Sequence, residues 1–381
     1  MPELSGPLPP GSTVGIMGGG QLGRMAAVAA ARLGYRVHVF TPEHDSPAAQ
    51  VSAAVTEAEW SDTEALARFA AAVDVVTFEF ENVPGDALDL LASRVAVAPS
   101  PRVLRVSQDR IAEKTFLNEA GVATGPWAPI RAREQAEAAV ASVGLPCVLK
   151  TTRLGYDGKG QATLRTAEDL PPALARLGGA DGFRPLVAEA FVDFACEVSV
   201  IVARDRAGRI AAYDTVENRH RNHILDLTIA PARVAPAVAE AAQAAARRVA
   251  KAIGLVGLLC VELFVTRDGQ VLANEIAPRP HNSGHWTIEA CAVSQFEQQI
   301  RAVAGLPLGD PSRHSDALMK NLIGDEIGAI PALLGNAGLI PHHYGKAEAR
   351  PGRKMGHVTR LFPKAGLPGE TEIASAFAPA L

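Results

Sequence analysis

Two glutamates, Glu262 and Glu275, lie in apolar, β-branched runs on either side of Arg267-Asp268-Gly269. Asp-Gly is a strong two-residue hairpin signal. With that turn Arg267 pairs with Gln270, and counting outward sets Glu262 directly opposite Glu275. Carboxylates facing each other across an antiparallel pair repel. A hard cation between them reverses the sign, because Mg2+ takes carboxylate oxygens together with substrate phosphates. A surface hairpin with two solvated acids is the plainer alternative. A second group of residues points to phosphate as well. Lys150 ends an apolar run at 146–151 and leads into a loop containing Gly155, Tyr156, Asp157, Gly158, Lys159, Gly160 and Gln161. Glycines let backbone N–H groups approach phosphate oxygens, and lysines supply compact positive charge. The order G-x-x-x-x-G-K-[ST] and its following helix are missing, so this is not a P-loop.

The elements that must position these groups read as alternating strands and helices. An apolar run at 13–17 enters Gly18-Gly19-Gly20-Gln21-Leu22-Gly23, followed by a helical stretch at 24–33 and a second strand at 36–40. This G-x-G-x-x-G unit suits a phosphate on a helix N-terminus, although glycines there also let helix and strand pack closely. A helical stretch at 63–72 precedes a strand at 73–80, whose end places Glu79 and Glu81 on one face. The carboxyl end of a strand is where open α/β sheets bind ligands. Residues 107–119 read as a capped helix with Arg110 and Lys114 on one face, an arrangement that is usually solvated. Glu197 lies within a β-branched run and needs a partner or an exposed edge. Glu217, Arg219, His220, Arg221 and His223 cluster without zinc-site spacing. After the hairpin come Arg279, His281 and Asn282, then a single helix over 288–300 with Asn282 and Ser283 as N-caps, a plausible anion pocket.

Composition narrows the classes. The 381 residues suffice for two or three domains. A hydrophobic fraction of 48%, a charged fraction of 20% and a net charge of −4 describe a soluble globular chain with no field that would draw nucleic acid or an anionic membrane. No apolar run reaches the length of a membrane span. The N-terminal MPELSGPLPPG reads as a Pro-rich tail rather than a signal peptide. Four scattered cysteines have neither metal nor disulfide spacing and fit a reduced, cytoplasmic protein.

Taken in order, GGGQLGRM (18–25), TFEFENV (77–83), LKTTRLGYDGKGQ (149–161), LANEIAPRPHNSGHW (272–286) and RPGRKMGH (350–357) resemble the N5-carboxyaminoimidazole ribonucleotide synthetase family of ATP-grasp enzymes. The resemblance implies an α/β ATP-grasp fold. A Rossmann-like pre-ATP-grasp, ribonucleotide-binding domain would span 12–105. An α+β lid with the glycine flap would span 106–188, and a C-terminal α+β domain 189–381. It implies ATP and Mg2+, with Glu262 and Glu275 as metal ligands. Arg110, Lys150, residues 155–161, Glu189, Ala190, Phe191, Val192, Glu197 (on the ribose), His220, Asn274 and Glu275 would line the ATP site. Gln21, Leu22, Glu79, Tyr156, Asp157, Lys346 and Arg353 would hold aminoimidazole ribonucleotide. Arg279, His281, Asn282 and Lys159 would serve bicarbonate and the phosphoryl intermediate. A cytoplasmic homodimer acting on small molecules is implied too. Ala277 departs from the asparagine that many ATP-grasp enzymes carry two residues after the second metal glutamate. A formate-dependent glycinamide ribonucleotide transformylase is the alternative within the superfamily. A nicotinamide-dependent dehydrogenase would explain Gly18–Gly23 alone, and a non-catalytic nucleotide-binding regulator would leave the paired acids without a purpose.

Overall fold

A computed structural model describes residues 2–155, 160–179 and 182–378. Among the described residues the strands form three sheets. The first comprises β1 (Thr13–Met17), β2 (Arg36–Thr41), β3 (Ala54–Glu57) and β4 (Val75–Phe78), all parallel, in the order β3-β2-β1-β4. β4, mostly apolar and buried throughout, suits a parallel strand covered on both faces. The second is antiparallel, with β5 (Trp127–Ile130), β6 (Cys147–Thr151), β7 (Gln161–Leu164) and β8 (Leu186–Ala190) in the order β5-β8-β6-β7.

The third sheet carries β9 (Phe194–Arg204), β10 (Ile210–Ala212), β11 (Val216–Arg221), β12 (Ile224–Ala230), β13 (Gly257–Thr266), β14 (Val271–Ala277), β15 (Asp316–Ile323), β16 (Leu339–His343) and β17 (Lys354–Phe362). Its order is β14-β13-β9-β11-β12-β15-β17-β16, with β10 on β9. The Pro236–Ala252 helix packs Ala242, Ala246 and Val249 against Val200, Val202 and Val261 of this sheet. The helix Gln295–Val303 does something different. Its Phe296, Ile300 and Val303 share one core with Val14, Ile16 and Ala26 of the first sheet and its helix. Gln299 Nε2 also donates to Thr77 Oγ1 at 2.7 Å. Each such apolar side chain contributes about 1.5–3 kcal/mol on burial, so the first and third sheets are joined by packed core rather than by a linker alone.

Three local expectations need correction. The single helix expected over 288–300 is two, Thr287–Ala290 and Gln295–Val303, because the Ser294 side chain accepts from Glu297 N and starts the second one afresh. Asn282 and Ser283 are not its caps: they lie inside a short 3-10 turn, Asn282–Gly284, that His281 caps. The acidic hairpin closes through three residues, with Thr266 N donating to Gln270 O at 2.9 Å and Val265 opposite Val271. A bulge at Asn274 then restores the offset, so Glu262 does stand opposite Glu275.

Gly18 has φ +110, and a Cβ there would lie 2.6 Å from Glu79 Oε1. Gly18→Ala is therefore expected to destabilise the protein by about 1–3 kcal/mol from backbone strain alone, and thermal melting checks it.

Candidate active site

The acidic pair is neutralised sideways rather than left to repel. Glu275 Oε2 accepts from Arg110 Nη1 at 3.1 Å, and Glu262 Oε1 lies 3.0 Å from His281 Nε2. Burial acts against ionisation of Glu262, but the His281 imidazolium outweighs it and holds the carboxyl well below the usual range. Asn274 Oδ1, at the bulge, is buried without a hydrogen-bond partner among the described residues. Two facing carboxylates are hard oxygen donors that fit Mg2+.

The helix Arg110–Glu119 organises the space beside this pair. Asp109 caps it, its Oδ1 accepting from Ile111 N and Ala112 N. Its first turn then touches three elements. Arg110 N donates to Thr152 O at 2.9 Å and Arg110 Nη2 to Gly155 O at 3.3 Å, at the root of the glycine loop. Glu113 Oε1 accepts from Ile276 N at 2.7 Å, and Lys114 Nζ donates to Asn274 O at 3.4 Å. Arg110 and Lys114 are thus not the solvated pair their spacing suggests: the Lys114 side chain is 3% exposed. Lys114 and Lys150 both reach Glu189 Oε2, at 3.2 and 3.0 Å. Burial would raise the Glu189 carboxyl, but these two ammonium groups hold it below its ordinary value. Burial and the nearby Glu275 push Glu113 up to about 8.

Three cavities surround these groups. One of about 110 Å3 is lined by Lys114, Lys150, Glu189, Ala190, Phe191, Val192 and Asn274, with Phe194 and Phe264 stacked at 4.7 Å on its wall. Apolar walls with a few charged groups at one end suit a flat base carrying phosphates. A second, of about 470 Å3, is lined by Gly18, Gly19, Gly20, Gln21, Leu22 and Glu79 on one side and by Arg279, His281, Asn282, Lys346, Arg353 and Lys354 on the other. Both polar atoms of the Asn282 side chain are buried without a hydrogen-bond partner among the described residues. The third, about 70 Å3, holds Arg110, Gly155, Glu262, Glu275, Arg279 and His281. Glu81, Arg279 and His281 line both the second and the third.

Not every expected residue falls in these linings. Tyr156, Asp157, Gly158 and Lys159 lie outside the described residues. Gly160 and Gln161 stand at the start of β7, with Gln161 opposite Lys150 rather than in a cavity wall. Glu197 and His220 pair with each other, Oε2 to Nδ1 at 3.1 Å, on neighbouring strands outside the three linings. The glycine loop is also occupied differently from a phosphate cradle. Gly20 N and Gly23 N donate to Glu79, at 2.9 and 3.4 Å, so the helix N-terminus is already capped by the carboxylate that follows β4.

Sequence reasoning missed Glu113, Gln108, Gln295 and the Phe194–Phe264 stack. Gln295, wholly buried, accepts from His281 N at 2.9 Å and donates to His281 O at 2.7 Å, holding the backbone that aims the imidazole at Glu262. A Ser-x-x-Glu signature at Ser294–Glu297 marked the helix start that places it.

Lys346 gives a pH signature. Burial first, then the neighbouring Arg353, lowers its ammonium to about 8. The charge that would receive a phosphate dianion is present below that pH and lost above it. The KM for an anionic nucleotide is therefore expected to be flat near pH 7 and to rise toward about tenfold per unit beyond pH 8. Lys346→Arg should remove that rise, since guanidinium does not deprotonate.

The chain matches known families throughout this architecture. Residues 12–108 match the ribonucleotide synthetase preATP-grasp domain, 115–296 the ATP-grasp domain, and 317–366 the phosphoribosylaminoimidazole carboxylase C-terminal domain. It is 52% identical over 359 residues to an N5-carboxyaminoimidazole ribonucleotide synthase of Brucella melitensis, covering 94% of this chain and 98% of that protein. An N5-carboxyaminoimidazole ribonucleotide synthetase solved with ADP superposes with a TM-score of 0.91 at 40% identity, over 98% of both chains. The Aspergillus clavatus N5-carboxyaminoimidazole synthase, solved with ADP and 5-aminoimidazole ribonucleotide, has a TM-score of 0.87 at 33% identity, over 97% of this chain and 98% of that one.

Proposed function

This chain belongs to the N5-carboxyaminoimidazole ribonucleotide synthase family of ATP-grasp ligases, and we propose how its own residues carry the reaction of that family. The enzyme carboxylates the amine of 5-aminoimidazole ribonucleotide with ATP and bicarbonate, giving N5-carboxyaminoimidazole ribonucleotide, ADP and phosphate. The observation that supports the assignment of parts is the shared wall: Arg279, His281 and Glu81 face both the acidic cavity and the cavity under the glycine loop. Activated carboxylate made on one side can meet an amine held on the other without crossing solvent.

In this reading the adenine lies between Phe191, Val192 and the Phe194–Phe264 stack, and Lys114, Lys150 and Arg110 receive the phosphates. Glu262 and Glu275 would hold Mg2+, which neutralises charge on the transferring phosphoryl group when bound. Gln21, Leu22, Glu79, Lys346 and Arg353 hold the ribonucleotide. Arg279, His281 and Asn282 seat bicarbonate, Lys159 serves the phosphoryl intermediate, and Tyr156 and Asp157 serve the ribonucleotide. Bicarbonate oxygen attacks the γ-phosphorus to give carboxyphosphate, whose carbon the amine then takes. Such transfer depends on positioning and fixed charge rather than on a nucleophilic side chain.

We also propose the three-part division at 12–105, 106–188 and 189–381, a cytoplasmic location and a homodimer. Sedimentation at about twice the 39.9 kDa chain mass would support the last. No helix among the described residues is long and apolar enough to cross a membrane.

ADP release from Mg-ATP tests the reading. It should require both aminoimidazole ribonucleotide and bicarbonate. Release that ignores bicarbonate, or that follows formate and glycinamide ribonucleotide, would overturn it.

A further inference from the structure

Glu81 occupies a place that the assignments above leave without a task. Its carboxylate accepts from Arg279 Nε, and its side chain is 30% exposed. Its main-chain oxygen accepts from Gln108 Nε2 at 2.7 Å, and Gln108 Oε1 in turn accepts from Arg153 Nη2 at 2.9 Å. The turn after β4 that carries Glu81 is therefore tied to the root of the glycine loop. Glu43 and Glu113 each line one cavity only, and three further carboxylates have partners of their own. Glu79 takes the Gly20 and Gly23 N–H groups, Glu262 takes His281, and Glu275 takes Arg110. Glu81 alone of these four lines both cavities, and its partner is the guanidinium expected to receive bicarbonate.

We propose that Glu81 is the proton acceptor for the ribonucleotide amine, restrained by Arg279 until the incoming anion takes that guanidinium over. This rests on the carboxylase reading. The amine lone pair forms the C–N bond to the carboxyl carbon of carboxyphosphate, and the C–O bond to phosphorus-bound oxygen breaks, its electron pair leaving with phosphate. The nitrogen, cationic after attack, gives one proton to Glu81. The resulting carboxylic acid passes that proton to the departing phosphate and is reset. A carboxylate paired to guanidinium is a weak base, and losing the partner restores its basicity. The base is thus available only when the carbon source is seated, at the step where the nitrogen becomes cationic and has a proton to give.

The test is Glu81→Gln, which keeps size and an oxygen for Arg279. ADP and carboxylated product are measured together with all substrates present. Carboxylation is expected to fall about 10^2–10^4-fold, the usual contribution of a general base, while ADP release stays within about tenfold, so product per ADP drops far below one. Glu81→Asp should recover part of the coupling, and the acid limb of the product-per-ADP profile should vanish in Glu81→Gln. Tight one-to-one coupling at the wild-type rate in Glu81→Gln would overturn the proposal. Equal loss of ADP and product would also overturn it, leaving Glu81 as a structural partner of Arg279. If Glu81→Gln does not fold, Glu81→Asp decides by the same ratio. Wild-type ADP release that needs no bicarbonate would instead remove the carboxylase reading beneath it.

Discussion

Glu262→Gln lowers ADP release by about 10^3-fold at saturating Mg2+ and leaves the melting temperature nearly unchanged. The loss corresponds to about 4 kcal/mol of transition-state stabilisation, within the several kcal/mol that a metal on a phosphoryl group supplies. The fold survives because the substitution removes one of two facing carboxylates and keeps an amide oxygen to accept from His281 Nε2, now 3.0 Å from Glu262. Isothermal titration with Mg-ATP and a thermal melt separate the two effects. Unchanged turnover would remove Glu262 from the metal site, and a collapse in melting temperature would mean that the pair with His281 is structural first.

Arg279→Lys is expected to reduce carboxylation by about 10^2–10^3-fold, or about 3–4 kcal/mol, although the charge is kept. The guanidinium donates through Nε to Glu81 and through Nη1 to Pro280 O at 3.0 Å. A planar fork can keep Pro280 O and turn its remaining N–H groups, including the one released from Glu81, to the incoming anion, whereas a lysine ammonium is a point charge that cannot span both. The effect should appear as a raised KM for bicarbonate together with a lowered kcat, and stability should change little because Glu81 keeps a cation. Wild-type kinetics in bicarbonate would place the carbon source elsewhere.

How much of this was legible in the chain depends on the range of the interaction. Glu262 opposite Glu275 could be counted from the Asp-Gly turn, yet the count succeeds only because a three-residue loop and the Asn274 bulge offset each other. Local propensity contains neither compensation. The helix Gln295–Val303 was obscured because Cys291, Ala292 and Val293 continue an apolar pattern across a real break. Its buried glutamines also look like surface residues until their long-range partners are known. The capping of the glycine loop by Glu79 joins residues nearly sixty positions apart, which no periodicity reports. Arg110 and Lys114 were visible as a pair, but whether a pair faces water or a ligand is decided by what packs over it.

The helix Gln295–Val303 has a consequence for the chain as it is made. Val14, Ile16 and Ala26 complete their core with Phe296 and Ile300, and roughly 200 residues are synthesised after β4 before that helix exists. At about 5–20 residues per second, the first sheet waits on the order of 10–40 s on the ribosome with one apolar face covered only in part, by the helix at 21–32. A fragment ending near residue 105 should therefore be recovered bound to chaperones or as an aggregate, and nascent chains should pass into a protease-resistant form only after residue 303 has left the exit tunnel.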